Sequence, residues 1–294
     1  MKRLLILLVL ASVCVVLGSG RVRRTIRRLV SRPAEHPPVG EIYKIATNLY
    51  VIPGGGGTTA AFVTAHGVVL VDTKYPDRYQ ALLDELRKVT DKPVTHVINT
   101  HHHFDHTGSN ALLPEGTEIV MHENAAVEME KMRLPTTPVR PVRTYKDKLT
   151  LFDGADTVEV NHFGAAHTNG DSFVVFREAH AVHAGDVFPS KLAPIVNHSS
   201  GGRGATFGKT IGMAVKSVED GKLVISGHGG VYTWVDFADY GEFNHILLEE
   251  VRNGVSLGKN NRQIVAELKL PEKFRDYKLG RLFVTIDGIS KSLN

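Results

Sequence analysis

Cysteine is almost absent from this 294-residue chain. Its one instance, Cys14, sits in an N-terminal apolar run, so no internal disulfide can form and the remainder of the chain has no thiolate to offer a site. No internal repeat is visible. Acidic residues are missing from positions 1–32, which carry Lys2, Arg3, Arg21, Arg23, Arg24, Arg27, Arg28 and Arg32; against a net charge of +4, residues 33–294 are therefore left at −4. A mildly acidic body does not suit a phosphate backbone, so nucleic acid is not an expected partner. A hydrophobic content of 42% is ordinary for a soluble domain and sufficient for a core without staples.

Leu4–Leu17, preceded by Lys2 and Arg3, has the form of an export signal, and its 14 residues are few for a membrane span. Gly18, Ser19 and Gly20 offer a small-residue cleavage site. Residues 1–20 are thus read as a signal peptide for export to a bacterial-type periplasm. The competing reading is an inner-membrane anchor, because the basic run Arg21–Arg32 resists translocation and attracts anionic lipid. Residues 21–40, basic and then Pro-bearing, read as a linker, and 41–294 as the folded domain.

The densest chemistry lies in Thr100–Gly108, THHHFDHTG, directly after the strand-like run Val94–Asn99. His101, His103, Asp105 and His106 fall within six residues there. Imidazole with carboxylate suits zinc, and alternate residues of an extended segment can face one ion. Asp105 and His106 point elsewhere and could hold a second ion. Taken alone, a His-rich loop could equally bind metal adventitiously.

This loop resembles the signature of the metallo-β-lactamase superfamily of metallohydrolases. Three further segments strengthen the resemblance: His167 in GAAHTNGD, Asp186 in HAGDVF and His228 in SGHGG. The similarity covers roughly residues 41–250. It implies an α/β fold of four layers, an αββα sandwich, and two Zn2+ ions per chain, with Fe or Mn as alternatives. In such a site His101, His103 and His167 hold one ion, Asp105, His106 and His228 the other, and Asp186 bridges them. The implied catalytic residues are Asp105, which orients a metal-bridging hydroxide, and Asp186. Asp72, in the context V-D-T, is implied to support a ligand from behind.

The resemblance also narrows the activity. AHTNGD is similar to β-lactamases whose second site carries a Cys, yet the corresponding position here is Asp186, as in glyoxalase II-like thioesterases and lactonases. The expected function is hydrolysis of a small carbonyl substrate: an ester, thioester, lactone or lactam. The alternatives are a β-lactamase proper and a mononuclear-iron persulfide dioxygenase on the same fold. A small-molecule substrate is the expected partner, with membrane association confined to the N-terminus; the sequence carries no expectation of oligomeric state.

Local patterns supply the elements. Leu49–Ile52, Ala60–Thr64 and Val68–Val71 read as a β-meander, with Gly54–Gly57 as a mobile hairpin beside the site. Tyr79, Leu82, Leu83, Leu86 and Val89 recur at helical spacing, which places a helix over Arg78–Val89. Further helices are expected from Gly108 and over Glu123–Met132, Thr206–Val218, Trp234–Val251 and Gln263–Leu268. Strands are expected over Glu118–Met121, Lys148–Phe152, Val158–His162, Ser172–Arg177, His180–Ala184 and Lys222–Ser226, with Leu134–Pro141 an irregular connection. His122 and His245 read as structural, His183 as buried or supporting a ligand from behind, and His162 as an outward strand-end residue. In Phe188–Gly204, His198 is a candidate substrate contact. The tail Pro271–Asn294 has no legible role.

Overall fold

The computed structural model describes residues 36–132, 142–218 and 220–293. The expected leader, most of the expected linker and the expected connection Leu134–Pro141 lie outside them. The described residues from 37 onward form one compact unit.

The first sheet begins as the expected meander. β1 (Tyr43–Ala46), β2 (Leu49–Ile52), β3 (Thr59–Thr64) and β4 (Gly67–Val71) pair antiparallel in sequence order. The chain then crosses through α1 (Tyr79–Arg87) to β5 (Val94–Ile98), which lies parallel to β4. β6 (Glu118–His122), α3 (Glu123–Met132) and β7 (Val142–Tyr145) continue the parallel half, after a short α2 (Phe104–Thr107) inside the ligand loop. The helix expected from Gly108 is only a 3-10 turn, Asn110–Leu112.

The second sheet has the order β13-β12-β11-β10-β9-β8. Its members are β8 (Lys148–Leu151), β9 (Val158–Asn161), β10 (Phe173–Phe176), β11 (Ala181–His183), β12 (Leu223–Ser226) and β13 (Gly230–Thr233). α4 (Gly204–Ser217) is the crossover between the parallel strands β11 and β12. α5 (Trp234–Ser256) opens on a capping box, in which Thr233 and Asp236 satisfy each other's backbone donors. α6 (Asn261–Glu267) and α7 (Leu282–Lys291) complete the chain.

Three buried clusters show the layering. Between the sheets lie Val69, Val71, Ile98, Val174, Phe176 and Ile225. Outside the first sheet, Val68, Leu70 and Val97 meet Leu82 and Leu86 of α1 and Ala125 and Met129 of α3. Outside the second, Phe173, Val175 and Val224 meet Phe207 of α4, Phe237 of α5 and Ile286 of α7. Alternate residues of β4 and β10 therefore enter different cores. Burial on both faces explains why GVVLV and FVVF read as unbroken apolar runs. The fold is the four-layer αββα sandwich. Among the described residues no helix is long and apolar enough to cross a membrane.

The unplaced tail has a definite seat. Leu282, Ile286 and Ile289 join the outer core. Lys278 exchanges backbone hydrogen bonds with Lys191 and Ala193, and Thr285 Oγ1 donates to Pro194 O at 2.6 Å. The tail thus clamps the irregular stretch after β11.

Phe176 is fully buried between the sheets and packs on Phe62 with ring centroids 5.3 Å apart. Phe176→Ala should destabilise the protein by about 3–5 kcal/mol. Denaturant unfolding of metal-stripped wild type and variant measures it.

Candidate metal centre

Every predicted ligand follows the carboxyl end of a strand. Asp72 follows β4, residues 101–106 follow β5, His167 follows β9, Asp186 follows β11 and His228 follows β12. Both sheets direct these ends to one edge of the sandwich, where open α/β sheets generally bind ligands.

The structure brings the seven predicted ligand residues together in two sets, His101, His103, His167 and Asp186, and Asp105, His106 and His228. His103 Nδ1 lies 3.0 Å from His101 Nε2 and 3.0 Å from His167 Nε2. In the second set His106 Nε2 is 3.3 Å from His228 Nε2, and Asp105 Oδ2 is 3.4 Å from His228 Nε2. Asp186 stands between the sets. Its Oδ2 is 3.6 Å from His167 Nε2 and 3.2 Å from His228 Nε2, and its Oδ1 is 3.4 Å from His106 Nε2. Gly227 permits this approach, because a Cβ there would lie 2.0 Å from Asp186 Oδ1.

Contacts behind the rings choose which nitrogen faces inward. His106 Nδ1 is 2.7 Å from Asp72 Oδ2, which leaves Nε2 for the site. Asp72 is itself fixed, with Thr100 N donating to Oδ1 and Thr100 Oγ1 to Oδ2, both at 2.8 Å. His167 Nδ1 donates to Ile195 O at 2.8 Å. His101 Nδ1 meets Thr100 Oγ1 at 3.0 Å. His103 is turned the other way, and its Nε2 lies 2.7 Å from the side-chain amide of Asn197, which can present either an oxygen or an N–H. Such partners fix ring orientation and ligand basicity.

The two sets differ in charge. Burial, reinforced by neighbouring imidazoles, holds His101 well below the usual histidine range and His103 down to about 3. Burial also opposes a charge on His106, but Asp105, Asp186 and Asp72 outweigh it and raise that pKa well above the usual value. Asp186 is buried too, yet His228 and His106 hold its carboxyl well below the usual range. In the first set His101 and His103 therefore favour the neutral form. In the second, the surrounding carboxylates favour a proton on His106.

This donor set fits divalent cations. Asp186 Oδ1 is buried and accepts no hydrogen bond among the described residues, a costly state that a cation would relieve. Imidazole nitrogens about 3 Å apart with no proton between them repel, whereas around one tetrahedral ion, with Zn–N of about 2.0–2.1 Å, that spacing is natural.

Some expected residues take other places. His198 does not reach the site; its Nε2 lies 2.6 Å from Gly288 O, turned toward α7 by a 3-10 turn, and its neighbour Asn197 makes the contact with His103 instead. His162 is not an outward residue, since its Nδ1 bonds Asp171 O and its ring stacks on His122 at 4.0 Å. The glycine stretch is not a free hairpin. Gly57 N donates to Asp105 O at 2.9 Å, and a Cβ on Gly57 would lie 2.4 Å from the His106 ring. The buried Lys74 holds this loop from behind, and no local pattern in the sequence singles it out.

A cavity of about 620 Å³ opens over both sets. Its floor is His103, Asp105, His167, Asp186 and His228; its wall is Pro189, Leu192, Ala193 and Ile195; Lys278, Gly280 and Arg281 of the tail form its lip. Twin sets of His and Asp ligands thus stand under one open cavity, at the shared strand ends of an αββα sandwich.

Comparison with known proteins agrees. Residues 53–228, more than half of the chain, match the metallo-beta-lactamase superfamily. The mouse (Mus musculus) metallo-beta-lactamase domain-containing protein 1 is 41% identical over 71 residues, 24% of this chain and 27% of that protein. Its human (Homo sapiens) counterpart is 41% identical over 73 residues, again 24% and 27%. The match thus spans about a quarter of these relatives' length. Among solved structures, the sec-alkylsulfatase Pisa1 from Pseudomonas sp. superposes with a TM-score of 0.75 at 14% identity, covering 86% of this chain and 50% of that one. DIM-1 metallo-beta-lactamase gives 0.59 at 18% identity, covering 71% and 99%. At such identities these two structures speak to the fold alone. The chain belongs to the metallo-beta-lactamase superfamily.

Two outcomes are expected. Asp72→Ala releases the His106 ring and should weaken cation binding by Asp105, His106 and His228 by about 10–100-fold, measured by chelator competition. Acidification should act unequally on the two sets. A cation must displace the proton that His106 retains, whereas His103 takes one up only near pH 3. Metal bound by the second set should therefore leave at a higher pH than metal bound by the first, visible as stepwise release to an indicator dye.

Proposed function

We propose that the protein is a dinuclear zinc hydrolase that cleaves a small carbonyl substrate: an ester, thioester, lactone or lactam. The observation that carries this reading is Asp186, which lies within 3.6 Å of imidazole nitrogens from both sets and so can link two ions. His101, His103 and His167 would hold one zinc, Asp105, His106 and His228 the other. When bound, the ions supply Lewis acidity for the scissile carbonyl and lower the pKa of an attacking water to about 7.

The chain's own groups do the rest. Asp105 is partly exposed on the cavity floor, so its carboxylate can orient the attacking water and accept its proton at Oδ2. The apolar wall, Pro189 to Ile195, accepts the hydrocarbon part of a substrate and excludes bulk water from one side of the bond. Neither Lys278 nor Arg281 forms an ion pair among the described residues, and both are exposed at the lip. They suit a substrate that carries a negative group at the end remote from the bond broken. The complete second set is what favours two ions over the mononuclear-iron reading.

The test is a hydrolysis screen of zinc-loaded protein against esters, thioesters, lactones, β-lactams and a sec-alkyl sulfate, with ion content measured on the same sample. Asp186→Ala should abolish turnover and reduce bound zinc. Replacing Lys278 and Arg281 together with Ala should raise KM for anionic substrates and leave kcat near wild type. Undiminished turnover in Asp186→Ala overturns the reading.

A further inference from the structure

Lys74 is fully buried, and the chemistry above gives it no part. It lies two residues past Asp72, at a φ of 66°, where the chain leaves β4. Its Nζ donates to three backbone carbonyls, Ile52 O at 2.8 Å, Gly54 O at 2.6 Å and Gly57 O at 2.8 Å. These occupy all three donors of an ammonium. No carboxylate among the described residues pairs with it directly; burial pulls its pKa down to about 7, with the charge of Asp72 opposing. A buried cation satisfied only by carbonyls is costly to keep, and what it holds is specific.

It holds the glycine loop, and residues 57 and 58 touch the segments of all three members of the second set; toward the first set the contact is indirect, Thr58 O meeting His183 Nε2 at 3.0 Å, three residues before the bridging Asp186. Gly57 N donates to Asp105 O. Gly57 packs so closely on the His106 ring that a Cβ would lie 2.5 Å from Nδ1. Thr58 N donates to Gly227 O at 2.7 Å, immediately before His228. Residues 57 and 58 thus touch the segment of each member of the second set. The first set leans on other groups: His101 on Thr100, His103 on Asn197 and His167 on Ile195.

We infer that Lys74 is the positioning residue of the second metal site: its ammonium fixes the glycine loop against Asp105, His106 and Gly227, and so sets the affinity for one ion of the two. The inference rests on the two-ion reading above. It goes beyond that reading by assigning unequal control of the two affinities to a residue that binds neither ion.

The test compares full-length wild type with Lys74→Met, which keeps the bulk without the charge, and Lys74→Gln, which keeps two N–H donors. Stepwise zinc dissociation constants come from chelator competition, ion content from elemental analysis, and folding from thermal melts of the metal-stripped proteins. The first constant should match wild type in both variants. The second should weaken by about 10–100-fold in Lys74→Met and by less in Lys74→Gln. If Lys74→Met does not fold, Lys74→Gln carries the comparison. Wild-type values for both constants, parallel loss of both ions, or failure of both variants to fold would overturn the inference, the last two outcomes placing Lys74 in the fold as a whole. Fewer than two ions in wild type would instead overturn the two-ion reading, whatever the variants show.

Discussion

The site depends on one buried carboxylate. Asp72 leaves β4 with a φ of 65°, a conformation uncommon for any residue but glycine, asparagine or aspartate, and its oxygens reach the next strand's exit. They receive the backbone and hydroxyl of Thr100 and face the Nδ1 of His106. One side chain therefore ties both ends of a seven-residue loop and turns its last ring. The other ligands come from separate strand ends and converge on this loop. A charge this deep is tolerable because every partner is a donor within hydrogen-bond reach.

The two ligand sets are unlike in kind. One includes His101 and His103, which burial and neighbouring imidazoles hold below the usual histidine range. The other includes His106, whose pKa the surrounding carboxylates raise against the pull of burial. They share Asp186, whose charge serves both. Their supports differ as well: loops after β9 and β11 stand behind the first set, whereas the meander between β2 and β3 stands behind the second.

Much of this was legible in the sequence because it is written locally. H-x-H-x-D-H follows a strand, and the resemblance of this loop and of the segments around His167, Asp186 and His228 to one superfamily implied the ligand set and the layer order together. What could not be read depends on contacts between distant segments. Residues 189–196 lack any periodicity because they are shaped by the tail, through Lys278 and Thr285, and neither segment carries a pattern without the other. His198 drew attention as a histidine in a loop near the site, yet backbone direction at one residue decided that Asn197 faces inward. The glycine run suggested freedom for the same reason. Glycine allows flexibility and close packing alike, and only the position of Lys74 distinguishes them.

The cavity's floor and its lip are drawn from different stretches of chain. The floor comes from strand ends locked between two sheets, while the lip comes from an exposed tail held mainly by its own apolar helix face. Substitutions at Lys278, Gly280 or Arg281 meet solvent and leave the inner packing untouched. The lip can therefore vary in sequence while the ligand sets stay constant. This division lets one scaffold change what its cavity admits without rebuilding its floor.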